Sequence, residues 1–206
     1  DRSSGDREAL ASIHHDMMGL EQLGGDLQAA LRHGWQAVNR YESADGRTRC
    51  MAGMAGVLQE LGDFEAAEDA HRLVLASTDE VYYRVYAFDG LAYLSALRGD
   101  ADAFDQWAAR CDAAGWEHGS LAARAEILCF RGMGHAALGR TAEARHWLER
   151  AVSFAEEHGF SRALFRAEEA LDQLGRSARA SPEPLAAAPD DVRVGLRKMR
   201  VAAAGV

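Results

Sequence analysis

Proline is nearly missing from this chain. The three it has, Pro182, Pro184 and Pro189, crowd into one stretch near the C-terminal end. The preceding residues therefore lack the side chain that most reliably breaks a helix. Cysteine is equally sparse. Cys50, Cys111 and Cys129 are odd in number and irregularly spaced, with no C-x-x-C. That pattern fits neither a disulfide framework nor a zinc knuckle, and it reads as reduced thiols filling helical faces in a cytoplasmic protein. Lysine and asparagine occur once each, at Lys198 and Asn39, so the basic complement is almost all arginine. With the Ala, Gly and Asp content, that bias points to the codon supply of a GC-rich bacterium. No apolar run approaches the ~20 residues that span a bilayer, so no membrane partner is expected. The chain opens at Asp1 without Met or a leader, and the expectation is a piece of a longer protein with an effector domain upstream.

Charge is unevenly spread. The net charge is −9, yet the segment Val192–Val206 carries Arg193, Arg197, Lys198 and Arg200 and no acid, which leaves −13 on the rest. Such an acidic body disfavours a phosphate backbone, so nucleic acid is not an expected partner of this segment.

What is abundant is a turn. Variants of Leu-Gly-Asp recur at Leu23-Gly24-Gly25-Asp26, Leu61-Gly62-Asp63, Leu97-Arg98-Gly99-Asp100, Leu138-Gly139-Arg140 and Leu174-Gly175-Arg176. Taking Gly25, Gly62, Gly99, Gly139 and Gly175 as markers, the spacings are 37, 37, 40 and 36 residues, about one helical hairpin each. Gly enters the left-handed region that ends a helix cheaply. Asp26, Asp63 and Asp100 can then cap the next helix, and Thr141 is placed to do so in the fourth hairpin.

Apolar residues on both sides of each turn follow helical spacing. Leu10, Ile13, Met17 and Leu20 open the first pair. Met51, Met54, Ala55, Leu58 and Leu61 precede Gly62, and Phe64, Ala67, Ala70, His71 and Val74 follow it. A lone helix over about Ser161–Leu174 closes the run. Val81–Tyr86 has a strand-like composition but sits where a hairpin must begin, and it is assigned as helix. The organisation expected is a helical repeat domain over 1–176, a Pro/Ala/Ser linker over 177–191 and a short basic tail over 192–206. The tail need not dock on the repeats.

Three hairpins carry a common signature. The second reads Met51-x2-Met54-Ala55-x2-Leu58, then Ala67-x3-His71. The third reads Phe88-x2-Leu91-Ala92-x2-Ser95, then Phe104-x3-Ala108. The fourth reads Leu128-x2-Arg131-Gly132-x2-His135, then Ala144-x3-Leu148. Over Leu10–Gly175 the chain resembles the tetratricopeptide repeat (TPR) family, whose consensus is W-x2-L-G-x2-Y, A-x3-F and a closing Pro. The Pro is absent and the period exceeds the usual ~34 residues, as in divergent bacterial repeats of regulatory and transcription-activator sensor segments. The resemblance implies an all-α, right-handed superhelical array (α-solenoid) of about four TPR-like hairpins plus a closing helix.

It also implies a groove lined by the first helix of each pair. The groove residues would be Arg49 from the second hairpin, Tyr86, Asp89 and Tyr93 from the third, Met133 from the fourth, and Arg162, Phe165 and Glu169 from the closing helix. The partner expected there is a protein or peptide segment, the effector domain and the basic tail included, and homo-oligomers are compatible with it. In the alternative, the array curls tightly and these residues pack between hairpins. Groove clamps for chaperone tails use Lys and Asn beside Arg, and Lys198 and Asn39 lie on no groove helix.

Chemistry-bearing patterns are thin. His14-His15-Asp16 lacks the i,i+4 spacing of a two-His helical metal site. Gly132-x-Gly134 lies mid-helix with no G-K-[ST] after it. Carboxylates such as Glu65, Glu68 and Asp69 read as solvated surface. No catalytic residue, metal ligand or cofactor is assigned. The function expected is a non-enzymatic, protein- or peptide-binding scaffold, the regulatory or sensor part of a larger bacterial signalling or transcription-regulatory protein. The rival is a small-molecule-sensing domain of a DNA-binding regulator.

Overall fold

The computed structural model describes residues 2–176 and 186–204, with side chains from residue 5 onward. Most of the expected linker, 177–185, lies outside the described residues. The described residues are mostly helical, with no strand. The helices are α1 (Arg2–Gly24), α2 (Leu27–Arg40), α3 (Ala44–Leu61), α4 (Phe64–Ser77), α5 (Val81–Leu97), α6 (Ala101–Ala113), α7 (Leu121–Ala137), α8 (Thr141–His158), α9 (Ser161–Arg176) and α10 (Asp190–Ala204), with a 3-10 turn at Trp116–His118. No described helix is long and apolar enough to cross a membrane.

The turns are local chemistry. Gly25, Gly62, Gly99 and Gly139 all adopt positive φ, between 72° and 86°. At the second turn the amides of Gly62 and Asp63 both donate to the Leu58 carbonyl, each at 3.1 Å, which satisfies the last turn of α3. The following Asp carboxylates accept from the third helical amide: Asp26 from Ala29 at 2.8 Å, Asp63 from Ala66 at 3.3 Å and Asp100 from Ala103 at 3.0 Å. Two expected details differ. Thr141 is the first residue of α8 and not its cap; Arg140 occupies the cap position, where its guanidinium grips Asp105 at 2.6 and 2.8 Å. Gly175 ends no helix, because α9 runs through it to Arg176.

The chain divides into two compact units, Asp1–Tyr83 with Glu183–Val206, and Arg84–Pro182. In the first, α1 packs on α2, α2 on α3 and α3 on α4, and α10 then packs on α4 and α2. The Leu10–Ile13–Leu20 stripe of α1 does not face this core, since those side chains are 49%, 56% and 61% exposed. Ala11 and Met18 are buried in its place. The reason is close approach: a Cβ at Gly34 of α2 would meet the Met18 sulfur at 2.6 Å, and one at Gly53 of α3 would meet its methyl at 2.7 Å. The small residues across from α1 decide which of its faces goes inward.

In the second unit, Ala92 and Ala96 of α5 pack on Phe104 and Ala108 of α6, while Ala125, Ala155 and Ala163 join α7, α8 and α9. Gly132 and Gly134 give α7 the same intimacy, against Leu148 and Phe104 respectively. Ala67 and Ala144, the small residues of the repeat signature, are fully buried.

Candidate functional site

The most developed recognition surface lies in the first unit, where the second helices of the first two hairpins receive α10. Val192 and Leu196, four residues apart and so on one helical face, are fully buried, and Ala188 just before the helix is nearly so. Between them Gly195 packs closely against the indole of Trp35 from α2; a Cβ there would fall inside the ring's van der Waals envelope. Arg193, Arg197 and Arg200 flank this apolar strip at i, i+4 and i+7. They meet three carboxylates of α4 and its cap: Arg193 to Asp63 at 3.1 Å, Arg197 to Glu65, and Arg200 to Asp69 at 2.7 Å. Asp63 serves both partners, capping α4 with one oxygen and accepting the Ala188 amide with the other at 2.9 Å. The Gln28 side chain donates to the Ala187 carbonyl at 2.6 Å.

This surface changes two expectations. The tail, read as free to stand away from the repeats or to cover the groove of first helices, seats on α2 and α4, which are second helices. Asp69 is not solvated surface either. It is 5% exposed, and burial pushes its carboxyl up from the usual range while Arg200 opposes the shift. A signal for this pairing was present in the sequence: arginines at 193, 197 and 200 form one positive helical face, and carboxylates at 65 and 69 form one negative face.

The expected groove residues fall in both units. Arg49 lies on α3 in the first unit, exposed, donating to the Tyr41 hydroxyl at 3.4 Å. The others belong to the second unit. Asp89 and Tyr93 are buried, 3% and 6% exposed. Tyr93 lies against the Phe130 ring at 5.0 Å, and Arg166 covers that ring while pairing with Glu126 at 2.7 Å. Tyr86 and Met133 are half-buried, the Met133 sulfur 3.8 Å from the Cys129 thiol. Arg162, Phe165 and Glu169 are exposed on α9, Phe165 by 69%.

Around Asp89 the second unit holds a polar cluster in which Asp89 and Arg131 are buried and Asp112 is exposed. The Arg131 guanidinium reaches Asp89 at 3.5 Å and Asp112 at 3.2 Å, and the Trp116 indole N–H donates to Asp112 at 3.0 Å. Burial drives the Asp89 carboxyl up to about 7, with Arg131 opposing. Burial likewise pushes the Cys50 and Cys129 thiols up to about 12, leaving inert thiols where the spacing pointed to core filler. Nearby, Trp116, Arg124, Leu128, Arg150 and Phe154 line a cleft of about 370 Å³ on α7, α8 and the 3-10 turn, with Glu149 and Glu157 at its edge. His14 and His15 are half-buried, hydrogen-bonded to His33 at 3.0 Å and to the Tyr41 hydroxyl at 3.1 Å.

Set beside known proteins, the chain matches no family model, no curated protein and no solved structure.

Proposed function

We propose that this chain is a non-enzymatic scaffold of TPR-like hairpins that binds a protein or peptide segment, as the regulatory part of a larger bacterial protein. The observation that carries this reading is the seat of α10. A segment from the far end of the chain is held by surface chemistry suited to helix recognition: an apolar strip with a close backbone approach at its centre and charged pairs along its rim. The repeat reading is supported by the glycine turns at 37- to 40-residue intervals, the Asp caps after three of them, and the sequential packing of hairpin helices within the first unit.

Selection of displayed amphipathic peptides against the full chain, followed by calorimetric titration, tests the proposal. The expected result is saturable peptide binding that raises the melting temperature with peptide concentration. Stabilisation by small organic molecules alone, with no peptide retained, would overturn it in favour of a small-molecule sensor. The cleft beside Trp116 and Phe154 is the observation that favours that second reading.

A further inference from the structure

We propose that the α2/α4 face is an exchangeable acceptor for a basic amphipathic helix of another protein, and that α10 occupies it in cis as a built-in competitor. The inference rests on the scaffold reading above and names its site and ligand chemistry.

The contacts define the ligand. Aliphatic side chains at the positions of Val192 and Leu196 fill the strip, and the position of Gly195 must lack a side chain because the Trp35 ring leaves no room for one. Arginines two before, two after and five after that glycine reach Asp63, Glu65 and Asp69. A helix reading aliphatic-Arg-x-Gly-aliphatic-Arg-x-x-Arg therefore satisfies every feature of the surface. Charge complementarity extends beyond the pairs, since residues 192–206 carry four basic side chains and no acid while residues 1–191 carry −13.

The same contacts show why the occupant can leave. Within the helix itself, only Val192 and Leu196 are fully buried, and the three arginine side chains remain 38% to 59% exposed, where ion pairs contribute little. Val194 and Val201 face solvent, and a glycine at the centre weakens the helix itself. The covalent connection adds to these contacts an effective concentration in the millimolar range. A second copy's tail offers identical contacts without that advantage. The occupant that displaces α10 is thus a partner helix of the same pattern with stronger helix formers at the exposed positions held by Val194 and Val201.

Gly195→Ala is the discriminating variant, because alanine favours helix more than glycine does. It evicts α10 through the Trp35 contact without lowering its helical propensity. The experiment uses the full chain and a fluorescent peptide spanning Ala188–Ala204. The Gly195→Ala chain should bind the wild-type peptide at least about tenfold more tightly than the wild-type chain does, because the cis competitor is gone. Adding Glu65→Lys, an exposed substitution, should weaken peptide binding by only about two- to fivefold, and a peptide carrying Gly195→Ala should not bind. Circular dichroism and melting curves establish that the variants stay folded.

Equal affinity of the two chains for the peptide, or indifference to Glu65→Lys, overturns the proposal. Dimerisation of the wild-type chain through exchanged tails, seen by sedimentation at high concentration, overturns the assignment of the occupant to another protein. If the peptides selected in the broader screen bind elsewhere, the scaffold reading stands and this site falls.

Discussion

Adding one methyl group to α7 should have opposite effects in two backgrounds. A Cβ on Gly132 would lie 2.6 and 2.8 Å from the Leu148 Cγ and Cδ2, and 3.0 Å from the Leu148 backbone nitrogen. Leu148 is fully buried in α8, so its side chain has little room to turn away. Replacing a mid-helix glycine by alanine contributes about 1 kcal/mol of helix propensity. Overpacking a filled core costs about 1–3 kcal/mol. The steric cost prevails, and Gly132→Ala should lower stability by roughly 1 kcal/mol net. Leu148→Ala should cost about 2–5 kcal/mol through the cavity it leaves. In that background the clash with the Leu148 side chain is gone, and Gly132→Ala should become neutral or stabilising. The four proteins form a double-mutant cycle with a coupling of about 1–3 kcal/mol, read from urea midpoints at constant m-value. Equal effects of Gly132→Ala in both backgrounds would refute the claim that Leu148 sets the spacing of α7 and α8. Gly19→Ala in α1, where a Cβ meets nothing within 4 Å, supplies the control and should stabilise by up to about 1 kcal/mol.

Other consequences follow from buried groups. Asp89, with a carboxyl raised to about 7 by burial against the pull of Arg131 and in the field of Asp112 and Glu126, keeps its proton in the folded state where the unfolded chain has lost it. Folded protein then binds more protons between about pH 4 and 7, so this group's contribution to stability declines as pH rises through that window. Urea titrations should show Asp89→Asn gaining on the wild type from pH 5 to pH 8, and a difference independent of pH would contradict the assignment. Ala67→Leu and Ala144→Leu, at fully buried positions, should each destabilise by about 1–3 kcal/mol. Unchanged denaturant midpoints in both would show that neither position is closely packed.

What was legible in the sequence was local. A glycine followed by aspartate states, within about five residues, that one helix ends in the left-handed region and another begins under a side-chain cap. Hence four marker glycines, three Asp caps and the helical assignment of Val81–Tyr86 could be read directly, and Gly175 was misread because the same words occur inside a helix. Tertiary structure decided which face of each helix is buried. The large apolar stripe of α1 lost to Ala11 and Met18 because Gly34 and Gly53 let α1 approach closely only on that side. Asp89 and Tyr93 went inside for a related reason: Arg131 and Phe130, some forty residues away in the chain, supply their partners. The seat of α10 depends on residues more than a hundred positions apart, Trp35 accommodating Gly195 and Asp63 holding both Ala188 and Arg193. Capping and turn chemistry act over one helical turn and leave their mark in consecutive letters, whereas burial depends on the shape of a partner surface that folding alone brings into contact.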